Sequence, residues 1–333
     1  MNHRKPIKLG SVSALPGIVA PRIGLVAVGV GAGAMLHRLA GKFPDLYRAI
    51  EIATDAGHSS MHNVCADQTI LICEGLEQPV LPHEARAIAI PYKPIIEAAL
   101  KPFDLVFILA DMGDPTGSGV APLVAQLARS AEISAITVAI TPFSFEVIQR
   151  LANASSGMAA LRQNGDTVFI LDNDLLLQAA NEGITQQVDM TFLSLYCTFT
   201  QSFHNNGIVG VDFEDIQHIL SQIGITALGF GTASGDDRIE QSVRRAIAHP
   251  LLGSSALVQA TGIFVSIRSG AGWLESKDVT AVIKIIRAHQ SQAAYLIYDA
   301  NADSLLGENL QISILATGIV CTVDDNRCTG AAS

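Results

Sequence analysis

Gly113-Asp-Pro-Thr-Gly-Ser-Gly119 follows the apolar run Leu105-Val-Phe-Ile-Leu-Ala110 and leads toward Pro122. An uninterrupted apolar run closed by glycine reads as a buried strand, and Pro122 is placed to open a helix. A strand, a tight glycine turn and a helix N-terminus in that order aim backbone N–H groups and a positive dipole end at one point, where an anion fits. Phosphate is the first ligand to consider. Asp111 and Asp114 put carboxylates into the same turn, which repel a phosphate, and Pro115 removes one N–H donor.

A second glycine turn lies upstream. Ile23-Gly-Leu-Val-Ala-Val28 reads as a first buried strand running straight into Gly29-Val-Gly31-Ala-Gly33-Ala34, with a helix expected from Met35 to Ala40. Gly29, Gly31 and Ala34 satisfy G-x-G-x-x-A, and Asp55 stands at the spacing of a ribose-binding acid, so a Rossmann oxidoreductase is one reading. No hydride-transfer constellation accompanies it. Strands are expected at Thr69–Cys73, Ala135–Ile140 and Val168–Leu171, and helices at Ile95–Leu100 and from about Val188 to His204. This alternation predicts a doubly wound parallel sheet with every glycine turn at a strand C-terminal end. Between the third strand and the next helix, His83 and Arg86 read as solvated loop residues. From Gly224 a smaller alternating unit begins: strands Ile225–Thr232, Gly262–Ile267, Ala294–Tyr298 and Leu310–Leu315, helices Arg238–Ala248 and Val279–Ala288.

The chain has 333 residues, 49% of them hydrophobic, enough to bury one large or two medium cores. Its net charge of −10, with no basic run, argues against nucleic acid and anionic membrane as partners. The mean hydropathy of +0.36 comes in short runs, none near the roughly 18 uncharged residues of a membrane span. Cys65, Cys73, Cys197, Cys321 and Cys328 lack metal-type spacing, which points to a reducing compartment and no structural metal. Residues 1–17 lack a continuous apolar segment, so a cytoplasmic protein is expected.

Ala110-Asp-Met-Gly113-Asp-Pro-Thr116-Gly117-Ser118-Gly119-Val-Ala-Pro122 resembles the tubulin signature of the FtsZ/tubulin family, A-G-M-G-G-G-T-G-T-G-A-A-P. Gly29, Gly31, Gly33 and Thr54-Asp55-Ala56 are similar to the family's first glycine loop and its N-T-D-A. Thr141-Pro-Phe-Ser-Phe-Glu146 with Arg150 resembles T-K-P-F-x-F-E-G-x-x-R, and Asn173-Asp174 resembles I-P-N-D. From the residues alone, Glu146 and Arg150 are spaced as an ordinary intrahelical ion pair; the resemblance implies ribose and phosphate contacts. It likewise implies a guanine or ribose contact for Asn173, with Asp189 and Phe192 as candidates on the central helix. Val211-Asp212-Phe-Glu-Asp215 resembles the N-V-D-F-A-D loop, whose carboxylates enter the nucleotide site of the next subunit and orient the attacking water. Taken alone, Asp212 is an N-cap for Phe213–Leu220. Ala233-Ser-Gly-Asp-Asp-Arg238, His249-Pro-Leu-Leu252 and Ala316-Thr-Gly318 are similar to A-S-G-E-D-R, S-P-L-L and A-T-G, and fit turn and cap chemistry. The family's G-A-G-x-x-P loop has no counterpart, Val80 to Ala89 occupying its place.

The resemblance implies a Rossmann-like GTPase domain joined by a central helix to a smaller α/β domain with a mixed sheet. Expected bounds are an arm at 1–20, the nucleotide-binding domain at 21–187, the central helix at 188–206, an activation loop and helix at 207–223, the second domain at 224–320 and a tail at 321–333. Only about 15 residues follow Gly318, so the family's long linker and adaptor-binding peptide are expected to be absent. The implied function is head-to-tail polymerisation into cytoskeletal filaments with GTP hydrolysis at the subunit interface. GTP or GDP, with Mg²⁺ held through the nucleotide, would contact Gly29, Gly31, Gly33, Asp55, Gly113, Thr116, Gly117, Ser118, Gly119, Thr141, Glu146, Arg150 and Asn173. Asp212 and Asp215 would be catalytic in trans. Partners would be further copies of the chain, with a regular FtsZ as a second candidate. The altered signature motivates an alternative, a pseudo-GTPase that assembles alone or with a regular FtsZ without hydrolysis.

Overall fold

A computed structural model describes residues 20–42, 48–54, 66–72, 79–164, 167–179, 183–203, 207–222, 224–253, 255–270, 272, 274–303 and 306–319. The chain forms two compact units that meet in sequence between Val168 and Phe169.

In the first unit β1 (Ile23–Val28), β2 (Arg48–Ala53), β3 (Gln68–Leu71), β4 (Leu105–Asp111) and β5 (Ser134–Thr141) lie in the order β3-β2-β1-β4-β5. Every neighbouring pair is parallel. Residues 105–110 of β4 are wholly buried, which explains their unbroken apolar sequence. The helices are α1 (Val30–Lys42), α2 (Pro82–Ala89), α3 (Lys93–Leu100), α4 (Pro115–Ser130) and α5 (Ile148–Gln163), and β6 (Thr167–Asp172) runs across the boundary. The chain leaves β1 toward β2 on one side, while β4 pairs with β1 on the other. That reversal is the topological switch point, the crevice where an open α/β sheet binds its ligand. Val28 is in register with Ala110, which sets the β1–α1 and β4–α4 turns side by side.

The second unit contains α6 (Asn173–Ala179), α7 (Ile184–Ser202), β7 (Gly207–Val209), α8 (Phe213–Leu220), β8 (Ile225–Ala233), α9 (Arg238–Ile247), α10 (Ala256–Gln259), β9 (Gly262–Ser269), α11 (Ser276–Arg287), β10 (Tyr295–Ala302) and β11 (Leu310–Ile319). Its strand order is β8-β11-β9-β10-β7. Only β9 and β10 pair in parallel, so the sheet is mixed. The two-unit α/β class is the one read from the sequence.

Several elements differ from their sequence reading. Val80 to Ala89 is largely helix α2, not loop, because the Glu84 carboxylate accepts the N–H groups of Val80 (2.9 Å) and Leu81 (3.1 Å) at its start. Ala316-Thr-Gly318 is strand interior with a register shift, not a turn. There the Thr317 hydroxyl donates to the Ile219 carbonyl (3.0 Å) and ties the end of α8 to β11.

The second unit also buries titratable groups. Asp299 on β10 is wholly buried and accepts from Asn301 Nδ2 at 2.7 Å. Burial pushes its carboxyl up to about 6, against the opposing pull of the Ser202 and Ser266 hydroxyls and of Arg268. A carboxyl raised on folding favours the folded state most below its ordinary value of 3.8, and that favour is lost as pH rises through about 6. Asp299→Asn is therefore expected to stabilise the protein above pH ~7, by about 3 kcal/mol at most. The gain should vanish near pH ~4; denaturant titrations at the two pH values check it. His249, half-buried against Phe230, has the opposite sign: desolvation lowers its pKa to about 4, so stability is lost as pH falls from 6.5 toward that value.

Candidate functional site

At the end of β1 the chain turns on Gly29, whose φ of +85° is a left-handed conformation that suits glycine. Its N–H donates to the Ile52 carbonyl (2.9 Å), and its own carbonyl accepts from Gly33 N–H (2.9 Å), so α1 starts at once. This corrects the expected start at Met35: Gly31 and Gly33 lie inside the first turns of the helix. Their missing side chains leave room for acids. A Cβ on Gly31 would fall 2.6 Å from Asp111 Oδ2, and one on Gly33 would fall 2.5 Å from Glu51 Oε1. Glu51 is buried beside His37, with Oε2 3.6 Å from Nε2.

The β4–α4 turn is tighter than expected. Helix α4 opens at Pro115, not Pro122, which sits inside it. Pro115 takes the first helical position, where its missing N–H costs nothing. Asp114 is extended (φ −85°, ψ 136°) and caps the helix, its Oδ2 accepting Gly117 N–H at 3.0 Å. Asp111 Oδ1 accepts Gly113 N–H at 2.9 Å, and the Asp111 carbonyl accepts Asp114 N–H at 3.1 Å. Thr116 and Ser118 are buried; Thr116 Oγ1 meets Thr54 Oγ1 at 3.3 Å, and the Ser118 hydroxyl donates to the Met112 carbonyl. Gly119 faces the Pro82 carbonyl of α2.

Arg150 closes the site from α5. Its Nη2 lies 3.1 Å from both Asp111 carboxylate oxygens, and its Nε is 2.5 Å from Glu146 Oε2. Burial opposes its charge, and the Asp111 and Glu146 carboxylates outweigh that and hold its pKa above the usual value. Glu146 is not on the helix as read from the sequence: it sits in the turn before α5, with Oε1 accepting Phe143 N–H at 2.9 Å. Asn153, which sequence reasoning missed, donates from Nδ2 to the Gly113 carbonyl at 3.3 Å and is buried. Burial raises the Asp114 carboxyl, its Gly117 contact pulls it down, the nearby Asp111 charge raises it and Arg150 lowers it; the net shift is upward.

The first unit thus brings Gly29, Gly31, Gly33, Gly113, Thr116, Gly117 and Ser118 to one sheet edge with Glu146 and Arg150. Thr141 ends β5 on that same edge. Asp55 lies outside the described residues. His83 is exposed on α2, and Arg86 donates to Gln126 Oε1 at 3.0 Å. In the second unit, Asn173 begins α6 with its Oδ1 buried and lacking a hydrogen-bond partner among the described residues. Asp189 and Phe192, candidate guanine contacts, are 1% and 0% exposed on α7, which makes them core residues. Asp212 precedes α8 in extended conformation and is exposed, but its side chain does not cap the helix. Asp215 Oδ1 accepts from the Tyr295 hydroxyl at 3.1 Å, and His218 packs edge-on against that ring. Among the described residues no group of three or more His, Cys, Asp or Glu side chains could hold a metal ion, and no helix is long and apolar enough to cross a membrane.

Residues 74–181 match the Tubulin/FtsZ family GTPase domain, and residues 224–320 match the FtsZ family C-terminal domain. The cell division protein FtsZ of Buchnera aphidicola subsp. Baizongia pistaciae is 28% identical over 306 residues, covering 89% of this chain and 79% of that protein. The chain belongs to the FtsZ/tubulin family. Another FtsZ-family relative, the cell division protein FtsZ of Bartonella bacilliformis, is 30% identical over 308 residues, covering 90% of this chain and 52% of that protein. Among solved structures, an empty FtsZ dimer from M. jannaschii superposes with a TM-score of 0.78 at 24% identity over 90% of this chain and 89% of the other. A GTPγS-bound protofilament of CetZ2 from Haloferax volcanii gives 0.74 at 19% identity over 92% and 96%. These establish the fold, and with the family match they make the chain an FtsZ-like cytoskeletal protein. The family match stands against the oxidoreductase reading of Gly29, Gly31, Ala34 and Asp55.

Proposed function

We propose that this FtsZ-like chain binds guanine nucleotide at the switch point of its first unit and polymerises head to tail, with GTP hydrolysed where Asp212 and Asp215 of one copy meet the nucleotide of the next. The observation that carries this reading is Asp212. An aspartate at a helix N-cap normally spends its carboxylate on its own helix. Here, among the described residues, it is exposed and makes no capping bond, and its place at the start of α8 makes it available to a neighbour's site. Hydrolysis of a phosphoanhydride needs a positioned water, and an acid supplied by a second copy would couple that chemistry to assembly.

The β1–α1 turn fits a phosphate. Val30, Gly31 and Ala32 N–H head α1 and have no partner within the helix, and the dipole there is positive. Arg150, facing Gly113 and Asp111 of the neighbouring β4–α4 turn, supplies charge. Mg²⁺ would arrive with the nucleotide phosphates and neutralise part of their charge.

Light scattering with phosphate release tests the proposal: scattering should rise on adding GTP, together with release of phosphate. Neither response from the wild type would overturn the catalytic part. The Asp111 and Asp114 carboxylates favour a second reading, in which assembly proceeds alone or with a regular FtsZ and without hydrolysis. Phosphate release separates the two, since turnover of GTP by the wild type excludes the second.

A further inference from the structure

Asp212, Glu214 and Asp215 put three carboxylates at the start of α8. Their mutual repulsion, and a triphosphate ahead of them in an assembled pair, would turn each side chain away toward solvent. Asp215 is held against that. The Tyr295 hydroxyl, contributed from 80 residues further along the chain, donates to Asp215 Oδ1 at 3.1 Å. Tyr295 opens β10, where its N–H donates to the Thr261 carbonyl at 2.8 Å and its backbone stands in register with Gly262 of β9. His218, one helical turn beyond Asp215, meets the ring edge-on, with centroids 4.9 Å apart and planes at 82°. The ring is therefore fixed by strand and imidazole although it is 43% exposed. Its bond to Asp215, and the charge of that carboxylate, hold the phenol above its usual pKa, so it stays a donor.

We infer that Tyr295 is a positioning residue for GTP hydrolysis: its hydroxyl fixes one oxygen of Asp215 and leaves the other to accept from the attacking water at the neighbouring copy's nucleotide. This deepens the reading above and rests on it. An O–H bond to a carboxylate is charge-assisted and directional, so it selects one rotamer. A cation in the same place would neutralise the acid; a phenol holds it and leaves it charged, as a group that orients water must be. Fastening α8 to its sheet does not need this bond, because the Thr317 hydroxyl already donates to the Ile219 carbonyl and both Ile216 and Ile219 are wholly buried. What the bond adds is a set geometry before the two copies meet.

The test is phosphate release by the wild type and Tyr295→Phe at saturating protein over a range of GTP concentrations, with polymer sedimented from the same samples. Tyr295→Phe keeps the ring and its packing on His218 and removes only the donor. Its kcat should fall about tenfold, while KM for GTP, the amount of polymer and the thermal midpoint stay close to those of the wild type. A kcat within about twofold of the wild type overturns the positioning role and leaves hydrolysis at the interface standing. A loss of polymer that matches the loss of turnover also overturns it, because the hydroxyl would then serve assembly. No phosphate release from the wild type overturns the hydrolysis itself, and the inference with it.

Discussion

Gly119→Val is expected to destabilise the first unit by roughly 4 kcal/mol, with thermal unfolding about 10 °C lower, or to prevent soluble expression altogether. A Cβ at this position would lie 2.0 Å from the Pro82 carbonyl oxygen and 2.8 Å from its carbon. Both are backbone atoms at the start of α2, so no side-chain rotation relieves the clash, and α2 would have to leave the α4 surface. Leaving would expose Ala85 and Ala89, which are wholly buried. The gain in helix propensity on replacing glycine, below about 1 kcal/mol, is too small to offset this. The resemblance implies a phosphate contact for Gly119; its surroundings also give it a packing role, so lost nucleotide binding in the variant should track unfolding. Thermal denaturation followed by circular dichroism decides: a midpoint within a degree or two of wild type would contradict the packing role.

Asp212→Ala should abolish GTP turnover, with a fall of at least about a hundredfold, while leaving nucleotide affinity within about twofold and stability nearly unchanged. Little stability is at stake because the side chain is exposed and makes no capping bond, and α8 stays anchored through Thr317 and the buried Ile216 and Ile219. Asp215→Ala should be less clean. Its carboxylate accepts the Tyr295 hydroxyl, and removing it would release both the ring and His218 beside it. Phosphate release and calorimetry on the same preparations separate the effects. Equal loss of binding and turnover in Asp212→Ala would mean the residue belongs to its own chain's fold and not to a neighbour's site.

The strands were legible wherever the chain buries both faces of a sheet. Leu105 to Ala110 and Ile23 to Val28 are apolar without interruption because parallel strands covered on both sides have no solvent face. The starts of α1 and α4 were not. Glycine is a poor helix former, so Gly31 and Gly33 read as loop; they sit in a helix because Asp111 and Glu51 need the space their side chains would fill. At α4 both Pro115 and Pro122 are compatible with a first helical position. Asp114 immediately before Pro115 was the local signal that should have decided between them. The contact between Asp114 and Gly29 could not be read from spacing, because it exists only through the parallel register of β1 with β4. Asp212 stands at the N-cap position as its sequence suggests, but nothing local reveals that its side chain makes no capping bond.

Sedimentation of the wild-type protein in saturating GTP, in GDP and without nucleotide tests the central claim most directly. Head-to-tail assembly governed by the switch-point site predicts a pellet in GTP well above the other two, with filaments visible by electron microscopy. Equal pelleting in all three conditions, or none in any, would contradict it.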